Sequence, residues 1–231
     1  MCLEVGVGGT GALVPDCPGC WVFGRSPERA LERVRLAIAE WFRWLKAHGE
    51  PVPDVGEFDV EVAEVLRVTY NPVEAGKPEP LFWSEVLPVD DKDIARTIRL
   101  MEYSRSDLLR SVSGLSDEIL DWQPSKEPRT IRNCLRHIGI VEWWYITRLD
   151  VDLPEDFPQD VFQLLDHTRK MVVNYLRTMP QEKRSGVYQP KKHLDPGATV
   201  CNLWTARKVL RRLVDHERLH ARYIERISRI K

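Results

Sequence analysis

Residues 213–227 read LVDHERLHARYIERI, in which His216-Glu217-Arg218-Leu219-His220 forms an H-E-x-x-H sequence. On a helix its two histidines fall one turn apart on one face, the spacing by which zinc peptidases hold an ion. A helical wheel over 202–229 places Ala206, Val209, Leu213, His216, His220, Tyr223 and Ile227 on a single stripe, so the histidines stand where core residues are expected. One core imidazole is usually satisfied by a neighbour, but two desolvated imidazoles side by side are costly unless something binds both. A transition-metal ion does so, because neutral imidazole is its commonest protein ligand. The bases of this stretch, Arg207, Lys208, Arg211, Arg212, Arg218, Arg222 and Arg229, are expected mostly on the other, solvated faces, with Glu217 as their surface neighbour.

The peptidase reading fails on the residues after His220. An extended zinc-peptidase pattern would need Gly at 223 and His at 226, where this chain has Tyr223 and Arg226. The eleven residues beyond His220 are expected to be too few for the separate glutamate of other zinc peptidases. A third ligand is therefore expected upstream, and TIRNCLRHIGIVEWWYITRLD (130–150) supplies His137 on a helix that is apolar on nearly every side. If that helix adjoins the last one, His137 meets His216 and His220. Three histidines leave coordination positions open, which is the catalytic rather than the structural arrangement of zinc. Cys134 is assigned to core packing, with a place in the pocket wall as the alternative. Trp143, Trp144 and Trp204 are read as core residues that could also wall the site, and His48, His167 and His193 as surface residues. Whether Glu142, one turn after His137, orients a ligand is left open.

The rest of the chain sets the frame. At 231 residues with 43% hydrophobic content it is long for one domain and comfortable for two. Residues 1–88 carry 14 acids and 8 bases, against 21 and 26 in 89–231, so a net charge of -1 conceals halves of opposite sign. The first half reads as short strands around one helix from Pro27 to about His48, bounded by Ser26 and Gly49, with EFDVEVAEVLRVTY and LFWSEVLPV as further strands. Beyond Val89 the period becomes helical, over about 91–113, 130–149, 160–179 and 202–229, which predicts a four-helix bundle. The fold class is thus α+β in two domains, a small α/β domain at 1–88 and an all-α domain at 89–231. A 20-residue connection rich in Pro and Gly precedes the last helix and is expected at a functional rim. No apolar run is long enough for a membrane span and the start lacks the features of an export signal, so a cytoplasmic location with five reduced cysteines is expected. Cys17-Pro-Gly-Cys20 is read as a strand turn rather than a redox pair or half a zinc site.

Two resemblances add to this reading. GALVPDCPGCWVFGRSPERALERVRLAIAEWFRWLKAHGEPVPD (11–54) resembles the HicB-like antitoxin domain, through Pro15 to Cys20, Ser26 to Leu31, and Gly49 to Pro53. The first strand is short by that standard and no DNA-binding tail follows. The resemblance implies a protein-docking or homo-oligomerising role, and the acidic surface disfavours nucleic acid. Residues 92–229 are similar to the DinB/YfiT-like family, through SDLLRSVSGLSDEILDWQPSKEPRTIRNCLRHIGIVEWWYITRL (106–149) and TARKVLRRLVDHERLHARYI (205–224). That resemblance implies one divalent metal ion, zinc or nickel, on His137, His216 and His220. It further implies a metal-dependent enzyme of thiol S-transferase type, joining a low-molecular-weight thiol to a small-molecule electrophile. Water in the thiol's place would make a hydrolase. The alternative is a non-enzymatic regulatory or antitoxin-like binding protein, and a bundle with incidental metal binding is a third reading.

Overall fold

The computed structural model describes residues 1–52, 58–72, 79–125, 127–190 and 202–229. The chain divides into two compact units, one built on Met1–Leu87 and the other on Pro88–His193 with Trp204–Lys231.

In the first unit, β1 (Cys2–Gly6) and β2 (Gly9–Leu13) form an antiparallel hairpin, β3 (Trp21–Gly24) pairs antiparallel with β2, and β4 (Glu64–Arg67) pairs parallel with β1. The sheet order is β3-β2-β1-β4. Helix α1 (Pro27–Ala47) begins where the Ser26 side chain accepts from the Arg29 N–H. It ends where Glu50 N–H donates to the Leu45 carbonyl and Gly49 takes φ 79°, a left-handed stop suited to glycine. Its apolar face, including Ala30, Val34 and Ile38, packs with Leu3 and Ala12 of the sheet. Gly24 permits the close approach, because a Cβ there would lie 2.4 Å from the Ala30 nitrogen. Cys17 and Cys20 are buried thiols of one tight turn, not joined in a disulfide, in which Cys20 N–H donates to the Cys17 carbonyl at 2.9 Å.

Two expected strands differ. Among the described residues of EFDVEVAEVLRVTY, only Glu64–Arg67 is strand. LFWSEVLPV contains a 3-10 turn at Trp83–Glu85 instead. The buried Glu85 carboxylate accepts from Phe82 N–H at 3.1 Å, and this local capping bond replaces a ladder partner.

The second unit contains α2 (Asp91–Val112), a single turn α3 (Asp117–Leu120), α4 (Ile131–Thr147), α5 (Val161–Arg177) and α6 (Ala206–Ser228). Each starts on a side-chain cap, from Asp90, Ser116, Thr130, Asp160 and Thr205 respectively, which satisfies amide groups that a helix start would leave orphaned. Among the long helices, α6 packs against α2 and α4, and α5 against α4, with a smaller α2–α5 contact. The α4–α5 approach is set by Gly139, where a Cβ would meet Leu164 Cδ2 at 2.2 Å. In the long connection before α6, β5 (Val187–Tyr188) pairs with β6 (Trp204–Thr205). Much of that connection, with His193 and Cys201, lies outside the described residues. Among the described residues no helix is long and apolar enough to cross a membrane.

Candidate metal centre

Helices α4 and α6 bring three histidines together. His137 comes from the middle of α4, and His216 and His220 from successive turns of α6. One ligand atom from each lies within 4.8 Å of the other two. The ring centroids are 4.9 Å apart for His137–His216, 4.9 Å for His137–His220 and 4.4 Å for His216–His220. The Nε2 atoms of His137 and His216 approach to 3.1 Å. That is a hydrogen-bond distance between the two rings, and it is also close to the roughly 3.3 Å that separates two nitrogens on one tetrahedral ion with bonds of about 2.0–2.1 Å. On His220, Nδ1 faces the Cys134 Sγ at 3.3 Å, and a proton on that nitrogen leaves Nε2 as the free donor atom.

The electrostatics favour neutral rings. Burial, reinforced by Arg129 and by His220, lowers His137 to about 3. Burial with Arg129 and Arg212 lowers His220 to about 4. His216 is held well below the usual histidine value by burial, with its neighbours His220, Arg212, His137 and Arg129 adding to the effect. Three neutral imidazoles with converging nitrogens are the donor set of a divalent metal, and the residues present fit one. Around them, Tyr145 lies edge-on to His216 with centroids 5.7 Å apart, and Trp204 stands behind Tyr145 at 5.8 Å. Trp143 turns away to Phe157. The Cys134 thiol is fully buried, and burial raises it to about 11, so it is a packing sulfur that also touches the site.

Residues 100–224 match the family described as the DinB superfamily, over more than half of the chain. The chain belongs to the DinB superfamily. The matched span of this DinB-superfamily protein runs from α2 into α6 and contains the three clustered histidines; it does not extend to the first unit. No curated protein and no solved structure matches the chain.

Next to the histidines lies a feature that helical periodicity did not foretell. Glu217 is 2% exposed and is no surface neighbour. It accepts from Arg105 Nε and Arg169 Nη2, both at 2.5 Å. Glu142, left open as an orienting group, accepts from the same two arginines, Arg169 Nε at 2.5 Å and Arg105 Nη2 at 3.1 Å. Two carboxylates and two guanidiniums thus close a ring, with one residue each from α2, α4, α5 and α6. Burial works to raise the Glu217 carboxyl, and Arg169 and Arg105 more than offset it, holding the group below its ordinary value. The expectation of a wholly solvated basic face on α6 fails in the same way, since Lys208, Arg211 and Arg218 are buried. Arg211 pairs with Asp215 at 2.7 Å and Lys208 Nζ lies 4.6 Å from the Trp204 ring centroid, so these charges are buried with partners. Position on a helical wheel alone does not reveal such pairing. A clue was available in the acids at 142, 215 and 217, which sit within otherwise apolar or basic helices.

Proposed function

We propose that this DinB-superfamily protein is a metal-dependent enzyme of thiol S-transferase type, its divalent ion, zinc or nickel, held by His137, His216 and His220 inside a four-helix bundle of α2, α4, α5 and α6. The observation that carries this reading is the convergence of three neutral imidazoles from two helices with donor atoms at ion spacing. Three protein ligands are the number that leaves a tetrahedral ion a position for an exogenous group. Bound there, the ion would supply Lewis acidity, lowering the pKa of a thiol or water at its open position. The chain's own residues do the rest. α4 and α6 fix the three rings, the Cys134 sulfur contacts His220 Nδ1, and Tyr145 packs edge-on against His216. Glu217 is unsuited to the role of general base that it has in zinc peptidases, because two guanidiniums hold its carboxylate. The small unit is proposed as a HicB-like docking or homo-oligomerising domain, on its PDCPGC turn and its β3-β2-β1-β4 sheet with α1.

The test begins with metal content by mass spectrometry on untagged wild type, His137→Ala and His216→Ala. About one ion per wild-type chain and little in either variant is expected, followed by thiol-dependent turnover of electrophiles that the variants lose while remaining folded. A wild type that takes up neither zinc nor nickel overturns the metal reading. Metal-loaded protein without turnover, whose histidine variants only melt earlier, would make the ion structural.

A further inference from the structure

The surroundings of the three histidines are wrong for a bare cation. Arg129, immediately before the Thr130 cap of α4, acts electrostatically on all three imidazoles and on the Cys134 thiol. Arg212 acts on His216 and His220, and its guanidinium carbon lies 5.4 Å from the centroid of Tyr145, the ring that abuts His216. Nη1 of Arg129 is buried and has no hydrogen-bond partner among the described residues. The backbone at this point is fixed, because the Tyr223 hydroxyl, one turn beyond His220, donates to the Arg129 carbonyl at 3.1 Å. Among the described residues, three carboxylates of this region are committed elsewhere. Glu127 is paired with Arg226 at 2.7 Å, and Glu142 and Glu217 belong to the closed ring.

A buried guanidinium N–H without an acceptor is costly, and so is a fixed positive charge beside a site for a divalent cation. One occupant removes both costs, an anion bridging the open coordination positions and the guanidinium. We infer that the ligand completing the metal site is a carboxylate-bearing small molecule whose carboxylate is received by Arg129. A carboxylate presents a planar pair of oxygens that matches the guanidinium fork, and the same oxygens suit a divalent ion. The inference rests on the proposed metal site and adds the chemical class of the bound molecule. Arg129 is then a binding residue that touches the ligand, and Arg212 contributes to the local positive potential.

The experiment uses the full chain loaded with cobalt(II) in place of the native ion, and acetate as the probe. Acetate titrated into the wild type is expected to change the visible cobalt spectrum with saturation. Arg129→Gln should need about ten- to a hundredfold more acetate, the range for loss of a charged hydrogen bond. The same variant should hold cobalt at least as tightly as the wild type, because a repelling charge has gone. Arg129→Lys, which keeps the charge and loses the fork, should fall between the two and serves as the readout if the glutamine variant does not fold. Equal acetate affinity in wild type and variants overturns the inference and leaves the metal reading standing. A cobalt affinity that falls together with the acetate response also overturns it, since Arg129 would then only support the fold. Failure of the wild type to take up cobalt removes the metal reading, and the inference with it.

Discussion

Two polar clusters are buried side by side in the helical unit, and they meet the same physical problem in opposite ways. The Arg105–Glu142–Arg169–Glu217 ring contains four full charges, yet each carboxylate accepts from both guanidiniums and the formal charges cancel. The histidine cluster contains no formal charge at neutral pH, yet its nitrogens converge on each other. His216 belongs to one cluster and Glu217 to the other, so adjacent residues of one helix separate the two solutions. A polar cluster that satisfies itself serves architecture, whereas one that needs an outside partner to be satisfied marks a ligand site.

The largest effect is expected at the ring. Glu217→Ala leaves Arg105 and Arg169 with an uncompensated buried charge and should cost about 3–5 kcal/mol in urea unfolding. If Glu217→Gln instead lost all turnover at unchanged stability, the ring would belong to the chemistry and the contrast would collapse. The opposite behaviour is expected of His216→Leu. Its metal-free stability should stay within about 1.5 kcal/mol of the metal-free wild type, because an apolar side chain suits that site. Metal at a hundredfold its Kd should stabilise the wild type by about 2.7 kcal/mol and leave the variant unmoved, which thermal melts with and without zinc would measure. A large loss of stability in the metal-free variant would make His216 part of the architecture too.

Packing around both clusters gives an intermediate effect. Gly139→Ala drives a methyl group into Leu164, which is fully buried and cannot swing aside, and should cost about 1–3 kcal/mol by denaturant titration. A neutral result would show that α4 and α5 can separate at no cost. The smallest effect per step comes from pH. His137 and His220 ordinarily titrate near 6.5 but are lowered to about 3 and about 4 in the fold, so between those values the unfolded chain binds more protons. The stability of the metal-free protein should therefore be fully present above about pH 6.5 and be lost as pH falls, by up to about 1.4 kcal/mol per pH unit for each histidine. Urea midpoints at pH 7, 6 and 5 would show this slope, and it should weaken in His137→Leu. An identical slope in that variant would mean that His137 is not held neutral.

Much of this was legible in the residues. Helix limits expected at 91–113, 130–149, 160–179 and 202–229 differ from the observed ends by a few residues, because cap residues such as Asp90, Thr130 and Asp160 mark where amide groups find side-chain acceptors. The i, i+4 spacing of His216 and His220 on an apolar stripe pointed to the cluster, and His137 was the one histidine in the middle of a strongly apolar helix. The ring was not legible. Its four members lie far apart in the chain, at 105, 142, 169 and 217, and an isolated charge on a helical wheel looks the same whether its partner is water or another helix. The strand expected around Trp83 failed for a related reason, since a carboxylate three residues from an amide can cap it and divert the backbone from a sheet. Local pattern shows which residues are apolar; it does not show which charges will find one another.

The ring also has a consequence for biosynthesis. α6 follows α2, α4 and α5 in the chain, and Glu217 is the only acid it contributes to the ring. While a ribosome has delivered only the earlier helices, Arg105 and Arg169 share the single carboxylate of Glu142, which leaves an excess positive charge at the centre of any compact intermediate. A compact intermediate without α6 would bury that charge at a cost that Glu217 removes when α6 docks. The docking of one helix then neutralises the ring and brings two of the three clustered histidines to the third.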